Sequence, residues 1–128
     1  MNDDPDLAAP GRSTAVIAEA LYLANLMLIP GLGFLVLLVL WWRQRGQAPE
    51  LARGHLRQTV AASLWAGGLL VAANVAIILL GGYDSAWTWI VVVLYFTTCH
   101  STLIFFGAIG LSRALVGKPF RFPLIGPR

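Results

Sequence analysis

The most polar run within the apolar parts of this chain contains a histidine flanked by hydroxyl and thiol side chains. The run consists of Thr97, Thr98, Cys99, His100 and Ser101. His100 falls midway along an apolar segment long enough to cross a bilayer, and an ionisable residue at that depth indicates a proton, ion or ligand site. We favour the alternative, a structural role, because a neutral imidazole bonded to a neighbouring helix holds helices together and hydroxyls bond to their own helix.

The same histidine raises the question of haem or copper binding. The only other histidine, His55, precedes the second apolar segment. Helical rise separates the two rings in depth by roughly 15–20 Å, too far for one chain to hold one haem between them. Cys99 points about 100° away from His100 around a helix. For the chain alone we therefore expect no cofactor and no metal site.

Apolar segments occupy most of the chain, at residues 14–42, 59–80 and 86–111. Each reaches the roughly 20 residues that a helix needs to cross a bilayer. The mean hydropathy of +0.73 and the charged fraction of 12% exclude a soluble domain of any size. The sequence predicts a single all-α domain, an integral membrane helical bundle with three transmembrane helices.

The first apolar segment is too long for a simple span, at about 43 Å if it formed one straight helix. Pro30 and Gly31 lie in its middle, where proline removes a helix hydrogen bond and glycine relaxes the backbone. We predict one long helix kinked at Pro30-Gly31. The alternative is a turn there, giving a re-entrant hairpin or four short helices and leaving the N-terminus on the inner side. Glu19 lies about one turn inside this segment, where its side chain could reach the interface, so it is not a candidate site residue.

Charge predicts the topology of the three-span arrangement. The 43–58 loop and the 112–128 tail are basic, whereas the tail at residues 1–13 and the turn before the third span are mainly acidic. The positive-inside rule then places the loop and the C-terminus in the cytoplasm of a bacterium and the N-terminus outside its inner membrane. The net charge of +3 belongs to these membrane-flanking cations, so we expect contact with lipid and no nucleic acid.

Two short motifs at the predicted cytoplasmic face, together with the Pro30-Gly31 break, carry a family resemblance. They are the histidine step His55-Leu56-Arg57-Gln58 before the second span and the run Phe120-Arg121-Phe122-Pro123-Leu124 in the basic-aromatic tail. The chain resembles small bacterial multi-pass membrane proteins of unknown function, distantly related to the chloroplast import component Tic-twenty. The resemblance implies a cytoplasmic-face cluster, in which we expect cations to contact tail aromatic rings. Its members are His55, Arg57, Gln58, Phe120, Arg121 and Pro123.

No residue pattern here builds an active site. The chain lacks paired carboxylates, a phosphate-binding loop and a nucleophile–base set, so we expect a protein that is not an enzyme. Small size and the small-residue faces of the second span favour an accessory or assembly subunit of a larger inner-membrane complex. The alternatives are a homo-oligomeric channel or transporter lined by the polar run, and a haem- or copper-binding redox subunit that shares ligands with a partner.

Overall fold

The computed structural model describes residues 9–128, and every regular element in that range is helical. The helices are α1 (Arg12–Met27), α2 (Leu32–Gln44), α3 (Glu50–Leu79) and α4 (Ala86–Leu115). The all-α prediction is confirmed. Asp3, Asp4 and Asp6, on which the predicted acidic tail depends, lie outside the described residues. By length and composition, α3 and α4 could each cross a membrane.

The first apolar segment forms two helices, so the prediction of one kinked helix is wrong and the alternative turn is right. The turn is made by Pro30 and by Gly31, whose φ of +84° favours glycine. The Asn25 carboxamide oxygen accepts hydrogen bonds from the backbone N–H groups of Gly31 (2.8 Å) and Phe34 (3.0 Å). A Cβ on Gly33 would lie 2.9 Å from the Asn25 backbone, so glycine lets α2 fold back against α1.

The α1–α2 hairpin covers only part of the longer α3–α4 pair. At the helical rise of 1.5 Å per residue, α1 is about 24 Å long, whereas α3 and α4 are each about 45 Å long. Gly11 at the start of α1 packs against Ala52 near the start of α3. Further along, the Tyr22 hydroxyl donates to the carbonyl of Leu103, near the middle of α4. The tip of the hairpin therefore stops roughly halfway along the long helices.

The buried core lies in the half of the molecule that contains the hairpin. One cluster joins α1, α2 and α3 through Ala18, Leu37 and Leu56, each 0% exposed. A second joins α1 and α3 to the C-terminal tail through Tyr22, Ala62 and Phe122. In the other half, most large apolar side chains of α3 and α4 are exposed.

The hairpin gathers the basic residues of the chain at one end of the molecule. Because α1 and α2 are antiparallel, the start of α1, the end of α2, the start of α3 and the end of α4 all lie there. This basic end carries all nine lysines and arginines of the sequence. They are Arg12, Arg43, Arg45, Arg53, Arg57, Arg113, Lys118, Arg121 and Arg128. The opposite end carries Asp84.

Candidate functional site

A buried carboxyl–imidazole pair connects α1 to α3 near the basic end. The Nδ1 atom of His55 lies 2.6 Å from Oε1 of Glu19, and both side chains are 0% exposed. The other ring nitrogen, Nε2, lies 2.9 Å from the backbone carbonyl oxygen of Lys118. Glu19 thus does not reach the interface as expected from the sequence; it is enclosed and paired.

The hydrogen-bond pattern determines where protons are held in this pair. The Lys118 carbonyl can only accept, so Nε2 of His55 must carry a hydrogen and donate it. The short contact on the other side of the ring then requires one further proton between Nδ1 and Oε1 of Glu19. With that proton, the pair is neutral overall, whichever atom holds it. A net-neutral pair is the form that burial tolerates best.

Small and hydroxyl side chains shape the space around the pair. A Cβ on Gly110 of α4 would lie 2.6 Å from Oε2 of Glu19, so only glycine leaves room for the carboxyl group at this position. The Thr59 hydroxyl donates to the carbonyl of His55 at 2.8 Å, one turn further along α3. Oε2 of Glu19 is buried and has no hydrogen-bond partner among the described residues.

The C-terminal tail is docked onto α1 and α3 beside the pair. The side chain of Gln58 accepts from the backbone N–H of Phe122 (3.0 Å) and donates to the carbonyl of Pro127 (2.9 Å). The Phe122 ring is 1% exposed and meets Tyr22 edge-on, with ring centroids 5.3 Å apart. At the surface, Arg57 donates to the carbonyl of Arg128 at 3.1 Å.

The structure brings the residues of the predicted cytoplasmic-face cluster into one region but joins them by other contacts. Hydrogen bonds from His55, Arg57 and Gln58 hold the tail, where we expected cation–π contacts with tail rings. The cation–π contacts recorded in residues 9–128 instead involve Arg45, over Trp41 and Trp42. The other cluster members, all in the tail, bond or pack within it. Phe120 packs against Phe122, Arg121 donates to the carbonyl of Gly126, and the Pro123 carbonyl accepts from Ile125.

The polar run of α4 forms a π-helical segment, Tyr95–His100, between two α-helical parts. The hydroxyls of Thr97 and Thr98 bond to carbonyls of the preceding turn, and that of Ser101 to the carbonyl of Phe96. Cys99 is a free thiol. His100 makes ring contacts with Tyr95 and Phe96 of its own helix. The run and the buried pair are separate sites: Glu19 meets α4 at Gly110, about 15 Å along the helix from His100.

Sequence reasoning missed two residues of the buried site, Glu19 and Tyr22. A usable signal was present: Glu19 is the one acidic residue within the three apolar segments. Such a residue in a segment otherwise able to enter a membrane calls for a buried partner, and the histidines are the natural candidates. Among the described residues, no group of three or more His, Cys, Asp or Glu side chains could hold a metal ion.

Comparison with known proteins identifies the family. Residues 11–128 match the model of MamF/MmsF, the magnetosome magnetite crystal formation protein family. The resemblance to relatives of Tic-twenty drawn from the sequence is therefore wrong: the Pro-Gly break, the histidine step and the aromatic tail belong to a MamF/MmsF protein here. No curated protein and no solved structure matches the chain.

Proposed function

Because the chain belongs to the MamF/MmsF magnetosome magnetite crystal formation family, we propose that it is a non-enzymatic accessory subunit of a protein complex. This complex lies in the membrane within which magnetite crystals form. The family match over residues 11–128 carries this proposal. The architecture supports the non-enzymatic part of this proposal, because the groups of the buried pair are used to hold α1, α3 and the tail together. The exposed apolar surfaces of α3 and α4 then meet lipid and other membrane subunits.

The distribution of charge supports a specific orientation in this membrane. With all nine cations at one end, the positive-inside rule places the basic end in the cytoplasm. The start of α1 and the C-terminal tail then face the cytoplasm, in place of the outward start expected for three spans. In this orientation α3 and α4 cross the bilayer and the α1–α2 hairpin enters it from the cytoplasmic side and returns.

Cysteine labelling in a Cys99→Ala background tests the orientation. Gly46 lies between α2 and α3 with open space around it, and Asp84 lies at the opposite end. When the protein is expressed in the inner membrane, an impermeant maleimide added to spheroplasts should label Asp84→Cys at once. It should label Gly46→Cys and Arg12→Cys only after permeabilisation. Labelling of Arg12→Cys in intact spheroplasts would restore the three-span topology and remove the re-entrant hairpin.

Gene deletion in a magnetite-forming host tests the accessory role. We expect a changed distribution of crystal size by electron microscopy, with cellular iron close to that of the wild type. Native mass spectrometry of the protein in mild detergent should show other membrane proteins bound to it. A loss of cellular iron proportional to the loss of magnetite would instead favour the transporter alternative. Unchanged crystals, or a protein that carries no other chain, would contradict the accessory role.

A further inference from the structure

A cavity of about 630 Å³ lies where the tip of the α1–α2 hairpin stops against the long helices. The hairpin forms one wall through Asn25, Pro30, Gly31 and Phe34. The face of α3 that includes Ser63 and Gly67 forms the second wall, and the π-helical segment of α4 forms the third. In the proposed orientation the cavity is near mid-bilayer, and its volume is within the usual range of small-molecule sites.

The cavity is mostly apolar but carries polar groups that the protein leaves without partners. The Ser63 side chain is 6% exposed, and its Oγ atom is buried with no hydrogen-bond partner among the described residues. His100 lines the same cavity, and within residues 9–128 its imidazole makes ring contacts but no hydrogen bond. Insertion of a residue into an α-helix as a π-helical turn is often found at binding sites, and here it borders the cavity.

Size and polarity narrow the choice of occupant. One turn of a helix about 10 Å wide and 5.4 Å long fills roughly 420 Å³, so the cavity cannot accommodate a helix that crosses the membrane. A lipid acyl chain would fit but would leave the buried Ser63 hydroxyl and the ring nitrogens of the half-buried His100 unpaired, which is unfavourable for polar groups away from water. The occupant should therefore be largely apolar and present hydrogen-bonding groups at mid-bilayer depth.

We propose that this cavity binds the head group of an isoprenoid quinone. The two carbonyl oxygens of the ring accept hydrogen bonds from the Ser63 hydroxyl and from an N–H of His100. The flat ring packs against the aromatic side chains of Tyr95 and Phe96, which form the same wall. The isoprenoid chain leaves the cavity along the exposed apolar surfaces of α3 and α4.

Two neighbouring glycines of α3 provide a matched test. Gly67 lines the cavity, whereas Gly68 lines a separate groove with Trp65 and Ala72. A Cβ at either glycine would have nothing within 4 Å, so leucine is tolerated at both. Gly67→Leu fills the cavity and Gly68→Leu does not.

The protein in nanodiscs is exposed to a photoreactive azidoquinone, with a short-chain quinone as competitor, and the label is mapped by mass spectrometry. We expect saturable labelling within residues 95–100, unchanged in Gly68→Leu and weakened about tenfold or more in Gly67→Leu, because the added side chain occupies the site. Ser63→Ala and His100→Phe should each weaken competition by about fivefold, the effect of one hydrogen bond. Equal thermal unfolding of the two leucine variants shows that both are folded.

Three results would overturn the proposal. One is equal labelling of Gly67→Leu and Gly68→Leu. Another is competition by a photoreactive phospholipid as effective as that by the quinone, which would assign the cavity to an acyl chain. The third is unchanged affinity in both Ser63→Ala and His100→Phe, which would mean that no hydrogen bonds hold the ring.

Discussion

His55→Ala should weaken the attachment of both α1 and the tail to α3. The substitution leaves the Glu19 carboxyl buried with neither oxygen paired, and it leaves the Lys118 carbonyl without its donor. Removing one partner of a buried pair costs about 3–5 kcal/mol of unfolding free energy. Part of this is recovered because an isolated buried Glu19 takes up a proton and becomes neutral. We therefore expect a loss of about 3 kcal/mol.

Glu19→Gln removes the acid group but keeps a hydrogen bond to His55, so it separates the contributions of the two to stability. The glutamine amide can donate to Nδ1 of His55 while Nε2 continues to donate to the Lys118 carbonyl. Both bonds to the ring survive, so the cost should stay within about 1 kcal/mol, compared with about 1–3 kcal/mol for Glu19→Ala, which leaves Nδ1 unpaired. The matched control is Arg57→Ala, because Arg57 lies on α3 like His55 but is exposed. This substitution should lower the free energy of unfolding by less than about 1 kcal/mol.

Unfolding by SDS in mixed micelles, followed by far-ultraviolet circular dichroism, measures these free energies. The double variant Glu19→Ala/His55→Ala should cost less than the sum of the single changes, by about 0.5–3 kcal/mol, because the pair can be broken only once. Additive costs, or a Glu19→Gln variant as unstable as Glu19→Ala, would refute the shared-proton arrangement. A loss from His55→Ala no greater than that from Arg57→Ala would refute the energetic role of the pair.

Two further outcomes follow from the same region. Gly110→Ala should destabilise the protein by about 1–3 kcal/mol in the SDS assay, because the new methyl group would meet the Glu19 carboxyl; Gly54→Ala, where α3 has open space, should be neutral or slightly stabilising. Gln58→Ala should make the tail more sensitive to trypsin, because the bond to the Phe122 backbone is lost; a cleavage rate equal to that of the wild type would show that other contacts suffice to dock the tail.

Much of the fold could be predicted from the sequence, because apolar length and charge position directly determine where long helices form. The segment at 59–80 falls within α3 except for Leu80, which follows the end of the helix, and the segment at 86–111 falls within α4. Apolar length and charge position could not decide between a kink and a turn at Pro30, since both residues of the Pro-Gly pair suit either geometry. What decides it is tertiary: Asn25 bonds to the turn, and Gly33 lets the two helices touch.

The candidate site was predictable only in part, for a related reason. The expectation that His55 and Gln58 lie near the tail came from a resemblance that is wrong, and the hydrogen bonds that join them to the tail required the structure. Glu19 was passed over because a side chain one turn inside a straight span can reach water. Once the hairpin packs α1 against α3 and α4, that route is closed and the carboxyl faces His55 and Gly110. The burial of Glu19 is therefore a consequence of the turn.

In the proposed orientation, the hairpin turns inside the hydrocarbon region, where each unpaired backbone group is costly. Hydrogen bonds within the hairpin pair these backbone groups. One side-chain oxygen of Asn25 accepts from two N–H groups, and the N–H of Gly33 donates to the carbonyl of Ile29 at 3.0 Å. Because these bonds are internal to the hairpin, its tip does not depend on contact with α3 or α4. That independence explains how the tip can border a cavity without close packing against α3 and α4. It also explains why the anchoring interactions of the hairpin lie nearer its base, at Glu19 and His55.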